Sequence, residues 1–189
     1  MRIIGISGSP RNKSTNYMLR TLLNATGQKS ELILLKNKRI FSCIDCRKCH
    51  KSYRCSINDD MQKIYKKLTE ADIIVLGSPT YFNNVSGTMK NFMDRCLPFY
   101  FSKKLETKKS ILLTTGNFKD ELEFDKNGKC KWHKEETKSA LACLRVMKDF
   151  CKIMGIKVMG SIYSLHEEPK TERRKLIKLG KKIKEKIND

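Results

Sequence analysis

The stretch RIIGISGSPRNKSTNYMLRTLLNAT, residues 2–26, decides the fold. Residues 2–8 are short, apolar and β-branched and end on Gly8, which reads as a buried strand. Residues 14–26 open on Ser14 and Thr15 and place Tyr17, Met18, Leu22 and Ala25 at helical spacing before Gly27, which reads as a helix with a glycine stop. Between them lies a loop of Ser, Gly, Asn and one arginine. A strand that turns at once into a helix is the opening of a β/α unit.

The unit recurs along the chain. Residues 31–36 (ELILLK), 72–79 (DIIVLGSP), 110–116 (SILLTTG) and 156–165 (IKVMGSIYSL) read as further strands. Residues 58–71 open on Asn58, Asp59 and Asp60, good cap and first-turn residues, and carry Met61, Ile64, Tyr65 and Leu68 on one helical face. Further helices are expected over 86–97, 134–154 and 169–187. Five strands alternating with helices predict an α/β fold with a doubly wound, five-stranded parallel sheet and helices on both faces, in one domain spanning residues 1–189. Ligands of such sheets bind at the carboxyl ends of the strands, where the strand order reverses. Residues 117–133 are the one long irregular connection, a length typical of lids and subunit contacts.

Composition narrows the classes. The chain has 39% hydrophobic residues, enough for a packed core. No apolar run approaches the roughly 20 residues that span a bilayer, and the first ten residues lack the apolar core of a signal peptide, so a cytoplasmic protein with no membrane partner is expected. Forty Lys and Arg against twenty Asp and Glu give a net charge of +20. Those charges are spread along the chain without the basic stripe and interleaved aromatics of a nucleic-acid binder, so no nucleic-acid partner is expected. A basic surface does suit the docking of an acidic redox protein.

Two loops carry chemistry. Residues 7–16 (SGSPRNKSTN) run from strand into helix with Ser7, Ser9, Ser14, Thr15 and Arg11 together, which suits a phosphate at a helix N-terminus. The loop is neither a dinucleotide fingerprint nor a Walker A loop, because the glycines the latter needs are Ser7 and Asn12. Hydroxyls with a helix end fit a terminal monophosphate better than a triphosphate with magnesium. Residues 77–87 (GSPTYFNNVSG) leave the third strand with small residues, the aromatic pair Tyr81 and Phe82, and two asparagines, a set that suits a flat heterocycle. The segment TTGN, Thr114 to Asn117, adds a third wall at the same sheet edge.

Residues 43–55, CIDCRKCHKSYRC, space four cysteines as C-x2-C-x2-C-x5-C. In a cytoplasmic chain such a cluster points to metal or catalysis before disulfides. Four thiolates in a compact loop suit a [4Fe–4S] cluster, though Ser56 stands where a ferredoxin run has proline. They also suit zinc, although zinc sites more often use two well-separated C-x2-C pairs. Free thiols are the third alternative. Cys96, Cys143 and Cys151 fall on apolar helix positions and read as core residues, and Cys130 lies in the long loop.

The segments GISGSPRNKSTN (5–16) and GSPTYFNNVSGTMKNFMDR (77–95) resemble the flavodoxin-like NAD(P)H-dependent FMN reductases, and with CIDCRKCHKSYRCSINDDM (43–61) between them the chain resembles their iron–sulfur flavoprotein branch. The resemblance is strong over residues 1–95 and loose beyond. It implies a flavodoxin-like fold and non-covalent FMN, with Ser9, Arg11, Ser14, Thr15 and Asn16 at the phosphate, and Pro79, Thr80, Tyr81, Phe82, Asn84 and Ser86 along the flavin and ribityl chain. Thr115 and Gly116 would complete the flavin site. It implies a [4Fe–4S] cluster on Cys43, Cys46, Cys49 and Cys55, NAD(P)H as a possible electron donor, an external carrier such as a ferredoxin, and a homodimer or higher homo-oligomer. No protein side chain is expected to act as catalytic acid or base. The alternative function is a cluster-free NAD(P)H-dependent FMN or quinone reductase. Asn83 stands where the family commonly has glycine, and asparagine tolerates positive φ better than most residues.

Overall fold

The structure is a computed structural model that describes residues 1–116, 126, 132–165 and 169–188, with side chains in the last helix described through residue 184. The strands are β1 (Ile3–Ser7), β2 (Ser30–Leu34), β3 (Ile73–Tyr81), β4 (Asn84–Val85), β5 (Lys109–Thr115) and β6 (Lys157–Ser164). The helices are α1 (Ser14–Ala25), α2 (Lys48–Ser52), α3 (Met61–Glu70), α4 (Gly87–Asp94), α5 (Leu97–Ser102), α6 (His133–Ile153) and α7 (Arg173–Asn188). Five strands are parallel in the order β2-β1-β3-β5-β6, and β4 pairs antiparallel with the end of β3. This is the flavodoxin-like strand order, whose reversal point lies between β1 and β3.

Burial on both faces explains the apolar runs. Ile4, Ile6, Ile74, Leu76 and Leu112 point to one face, where Ile64, Leu68, Phe92, Leu144 and Met147 of α3, α4 and α6 cover them. Ile3, Ile73, Val75, Ile111 and Leu113 point to the other, under Met18, Leu19, Leu22, Leu176 and Ile183 of α1 and α7. Each such side chain contributes about 1.5–3 kcal/mol when removed from water. The register Ile3↔Ile73 and Ser7↔Gly77 sets the ends of β1 and β3 side by side, so their following loops leave the sheet together.

The structure adds three details to the expected plan. The β3 strand runs on to Tyr81 and folds back through a two-residue turn into β4. The cysteine stretch is not all loop but contains the single-turn helix α2. The helix expected over 86–97 ends at Asp94, and a separate α5 follows with Pro98 in its first turn, where a missing N–H costs nothing. Asn117, Cys130 and all but Lys126 of the 117–131 connection lie outside the described residues.

Candidate functional site

The loops after β1 and β3 and the end of β5 meet at one edge of the sheet. The Gly8 N–H donates to Gly77 O at 2.8 Å. The Ser86 hydroxyl donates to Gly8 O at 2.6 Å and accepts from the Met89 N–H at 3.1 Å, so one side chain caps α4 and ties the first loop to the third strand's loop. Gly8 must be glycine here, because a Cβ would stand 2.6 Å from Met89 Cβ and 2.8 Å from Ser86 Oγ. The hydroxyls of Thr15 and Thr115 are 2.9 Å apart, which brings the start of α1 against the end of β5.

Within the first loop the polar side chains shape the backbone. Ser9 Oγ donates to Arg11 O at 2.8 Å and accepts from the Arg11 N–H at 3.2 Å. Asn16 is buried; its amide donates to Asn12 Oδ1 at 2.7 Å and Arg11 O at 3.3 Å, and its oxygen lies 2.5 Å from the Ser7 hydroxyl. The sequence reading gave Asn16 and Ser86 to a ligand, whereas their side-chain bonds here run inside and between the loops. Among the described residues no side chain caps the start of α1, whose N-cap is Lys13. The N–H groups of a helix start are donors of the kind that can receive an anion.

The third strand's loop is a tight hairpin. Phe82 and Asn83 both lie in the left-handed region, at φ 46° and 60°, the geometry of a type I′ turn. The expectation that Asn83 takes a positive φ holds, and Phe82 shares it at a steric cost. The turn projects Phe82 fully into solvent and leaves Tyr81 partly exposed beside it. Thr80, by contrast, is buried, with its hydroxyl 2.7 Å from that of Ser139. Asn84 Oδ1 accepts from the Val85 N–H at 2.8 Å. At the end of β5 the Gly116 N–H donates to Ser164 O, and a Cβ on Gly116 would run into the buried Glu136 of α6.

The four cysteines line one cavity of about 20 Å³, together with Ser56, Arg95 and Pro98. Asp45, Arg47 and Tyr53 all adopt positive φ, between 46° and 56°, and these three reversals turn the chain around the cavity. Cys49 is buried, Cys55 is half-buried, and Cys43 and Cys46 lie on the open rim. Ser56 sits 3.5 Å from the Cys46 sulfur. That hydroxyl, followed by the Lys48 amide, pushes the Cys46 thiol down from its ordinary value. Burial pushes the Cys49 thiol up, and the neighbouring Cys55, Cys43 and Cys46 add to that rise. Among the described residues no three His, Cys, Asp or Glu stand close enough for a single metal ion. The four cysteines thus share one cavity at wider than single-ion spacing. Cys143 and Cys151, buried in the core, are pushed up to about 11 by desolvation and serve as packing.

What holds this loop to the sheet lay hidden in the sequence. Arg95, at the end of α4, donates from Nη1 to Phe41 O and Asp59 Oδ2, both at 2.6 Å, and from Nη2 to Asp59 Oδ1 at 3.1 Å. Asp59 in turn accepts from the N–H groups of Phe41 and Met61, both at 2.9 Å. Asn91 donates to Ile40 O at 2.9 Å, and Gln62 donates to Cys55 O and Ile57 O. Both ends of the cysteine stretch are thus fastened to α3 and α4. The bond from the Met61 N–H makes Asp59 the cap that the sequence indicates, and its pairing with Arg95 is the part that the sequence conceals. Their signal, one Arg and one Asp inside amphipathic helix patterns, looks the same as any solvated charge.

Comparisons with known proteins agree with this arrangement. Over 112 residues the chain is 44% identical to an iron–sulfur flavoprotein of Methanocaldococcus jannaschii, covering 57% of this chain and 58% of that protein. It is 41% identical over 98 residues to an iron–sulfur flavoprotein of Archaeoglobus fulgidus, covering 50% and 48%. The matches thus span about half the length of these curated relatives. Among solved structures, the NAD(P)H:quinone oxidoreductase from Methanothermobacter marburgensis superposes with a TM-score of 0.70 at 17% identity, over 100% of this chain and 96% of that one, a likeness of fold. Residues 1–121 match the family described as NADPH-dependent FMN reductase, and the chain belongs to that family.

Proposed function

We propose that the chain is an FMN-dependent oxidoreductase of the iron–sulfur flavoprotein kind, passing electrons between FMN, a [4Fe–4S] cluster and an external carrier. One observation supports the flavin half: the bonds of Ser86 to Gly8 and of Thr15 to Thr115 draw the loops after β1 and β3 against the end of β5. Bound there, FMN would supply hydride and single-electron chemistry. The uncapped start of α1, with Ser9, Arg11, Ser14 and Thr15, would hold the phosphate. Pro79, Thr80, Tyr81, Phe82, Asn84, Thr115 and Gly116 would border the ring and ribityl chain. The rigid hairpin turn would fix where the ring sits.

The donor set fits the second group in its chemistry, with four thiols around one cavity whose rim is open at Cys43 and Cys46. A cluster on Cys43, Cys46, Cys49 and Cys55 would supply a one-electron port. The exposure of Cys43 and Cys46 leaves that port open to a partner, and Arg47, Lys48, Lys51 and Arg54, all exposed around it, favour an acidic carrier such as a ferredoxin. NAD(P)H is the alternative donor. The proposal includes a homodimer or higher oligomer in the cytoplasm. Among the described residues no helix is long and apolar enough to cross a membrane. A second reading is a cluster-free NAD(P)H-dependent FMN or quinone reductase, in which the four cysteines remain free thiols.

The test is the visible spectrum of anaerobically purified protein, with iron and acid-labile sulfide assayed on the same sample. Flavin bands with a broad shoulder and on the order of four irons per chain support the first reading. Flavin bands without iron after reconstitution select the second.

A further inference from the structure

The cysteine cavity carries one more polar group, which the ligand set leaves unexplained. Arg95 lines it, and the Arg95 side chain is only 1% exposed. Nη1 and Nη2 of its guanidinium are engaged by Asp59 and Phe41 O. Among the described residues its Nε–H has no partner. Buried N–H groups are nearly always paired, and an arginine keeps its charge at any ordinary pH. Asp59 is in no position to serve Nε as well, because each of its oxygens already accepts from Arg95 and from a backbone amide. The Cys55 sulfur lies near enough to act on the guanidinium's charge. The Tyr65 hydroxyl, which donates to Arg95 O at 2.5 Å, holds the same stretch of backbone in place.

We propose that Arg95 is a positioning residue for the sulfur site, its guanidinium supplying fixed positive charge and its Nε–H a hydrogen bond to the thiolates that Cys43, Cys46, Cys49 and Cys55 present to a metal group. The proposal rests on reading those four cysteines as one ligand set. Four thiolates around a divalent ion leave a net charge of −2, and a buried cation at the cavity wall offsets part of it. Partners beyond the ligands orient them and tune the metal, and hydrogen bonds to sulfur together with local charge set the potential of sulfur-ligated iron. Arg95 thus has two duties at once: one edge of the guanidinium clamps the loop through Asp59, and the remaining donor serves the sulfurs.

The test is an anaerobic titration of reduced, metal-free protein with Co²⁺, followed by thiolate-to-cobalt absorption, with urea unfolding measured alongside. Arg95→Lys keeps a charge and removes Nε–H; it is expected to weaken Co²⁺ binding about tenfold or more. Asp59→Asn removes the counter-charge and leaves the arginine; it is expected to tighten binding. A residue that only clamps the loop would weaken binding in both variants. That result, loss of fold in both, or wild-type affinity in Arg95→Lys overturns the proposal. If Arg95→Lys alone fails to fold, the sign of the Asp59→Asn effect decides. Where wild-type protein gives no thiolate–cobalt absorption, the same comparison is read from the iron and acid-labile sulfide retained after anaerobic reconstitution; a wild type that retains neither removes the ligand-set reading and this inference with it, so the two failures are told apart.

Discussion

Arg95 and Asp59, 36 residues apart in sequence, form a two-pronged ion pair at 2.6 and 3.1 Å whose side chains are 1% and 0% exposed. Such a pair is weak support for stability as a whole, but breaking it from one side is costly because a buried charge is left alone. Asp59→Ala is expected to destabilise the fold by about 3–5 kcal/mol, and Arg95→Met/Asp59→Leu, which removes both charges, by much less. Urea unfolding of the two variants checks this. Equal losses would mean that the hydrogen bonds to Phe41 and Met61, and not the charges, hold the loop.

The same pair sets an acid limit. Burial alone would raise the Asp59 carboxyl, but the hydrogen bonds from Arg95 and from the Phe41 and Met61 amides outweigh it and hold the group below its ordinary 3.8. A carboxyl depressed by folding contributes stability that is present above its unfolded pKa and lost as pH falls through the folded value. The clamp is therefore intact at neutral pH and is lost only below about 3.8. The stability difference between wild type and Asp59→Asn is expected to be flat from neutral pH down to that point and to shrink beneath it. A difference that instead shrinks around pH 6–7 would point to another titrating group.

Much of the architecture was legible because its causes are local. Ile3, Ile4 and Ile6 read as a strand buried on both faces, and Ser86 before Gly87 read as a helix start, because neighbouring residues alone determine those choices. The segments that carry the proposed contacts were legible as strand ends: Ser9 follows β1, Thr15 opens α1, Tyr81 closes β3 and the cysteines follow β2. What was not legible depends on residues far apart in the chain. Whether Asn16 points to a ligand or to Ser7, and that Asp59 meets Arg95 as well as the start of α3, depends on packing across the sheet edge. The α5 break and the α2 turn also escaped, being one or two turns long with no periodicity to read.

The hairpin gives a direct check on backbone strain. Asn83 sits at φ 60°, so Asn83→Gly is expected to leave stability unchanged or slightly raised, whereas Asn83→Val is expected to cost about 1–2 kcal/mol. Thermal unfolding reads both. If Asn83→Val is neutral, the turn is not the left-handed one described here.

The tie between the first and third loops predicts a linked loss of fold and ligand. Gly8→Ala would press a methyl to 2.6 Å from Met89 Cβ, with a cost of about 1–3 kcal/mol as for other overpacked sites. Ser86→Ala removes the α4 cap and the bond to Gly8 O, at about 1 kcal/mol. Both variants are expected to bind FMN more weakly than wild type in fluorescence titrations of the apoprotein. Full FMN affinity in a Gly8→Ala protein of lowered stability would place the flavin elsewhere.

The phosphate reading separates FMN from riboflavin, which differ only by that group. Wild-type apoprotein is expected to bind FMN at least tenfold more tightly, a difference of about 1.4 kcal/mol or more, as befits charge-assisted bonds to an anion. Thr15→Val removes a buried hydroxyl that meets Thr115 at the start of α1, so it should lower FMN affinity while leaving riboflavin affinity nearly unchanged. The discrimination should also weaken with added inorganic phosphate, which competes for the same uncapped helix start and not for the ring. If Thr15→Val weakens both ligands equally, the hydroxyl pair closes the site without touching the phosphate, and the anion contact belongs to other groups of the loop.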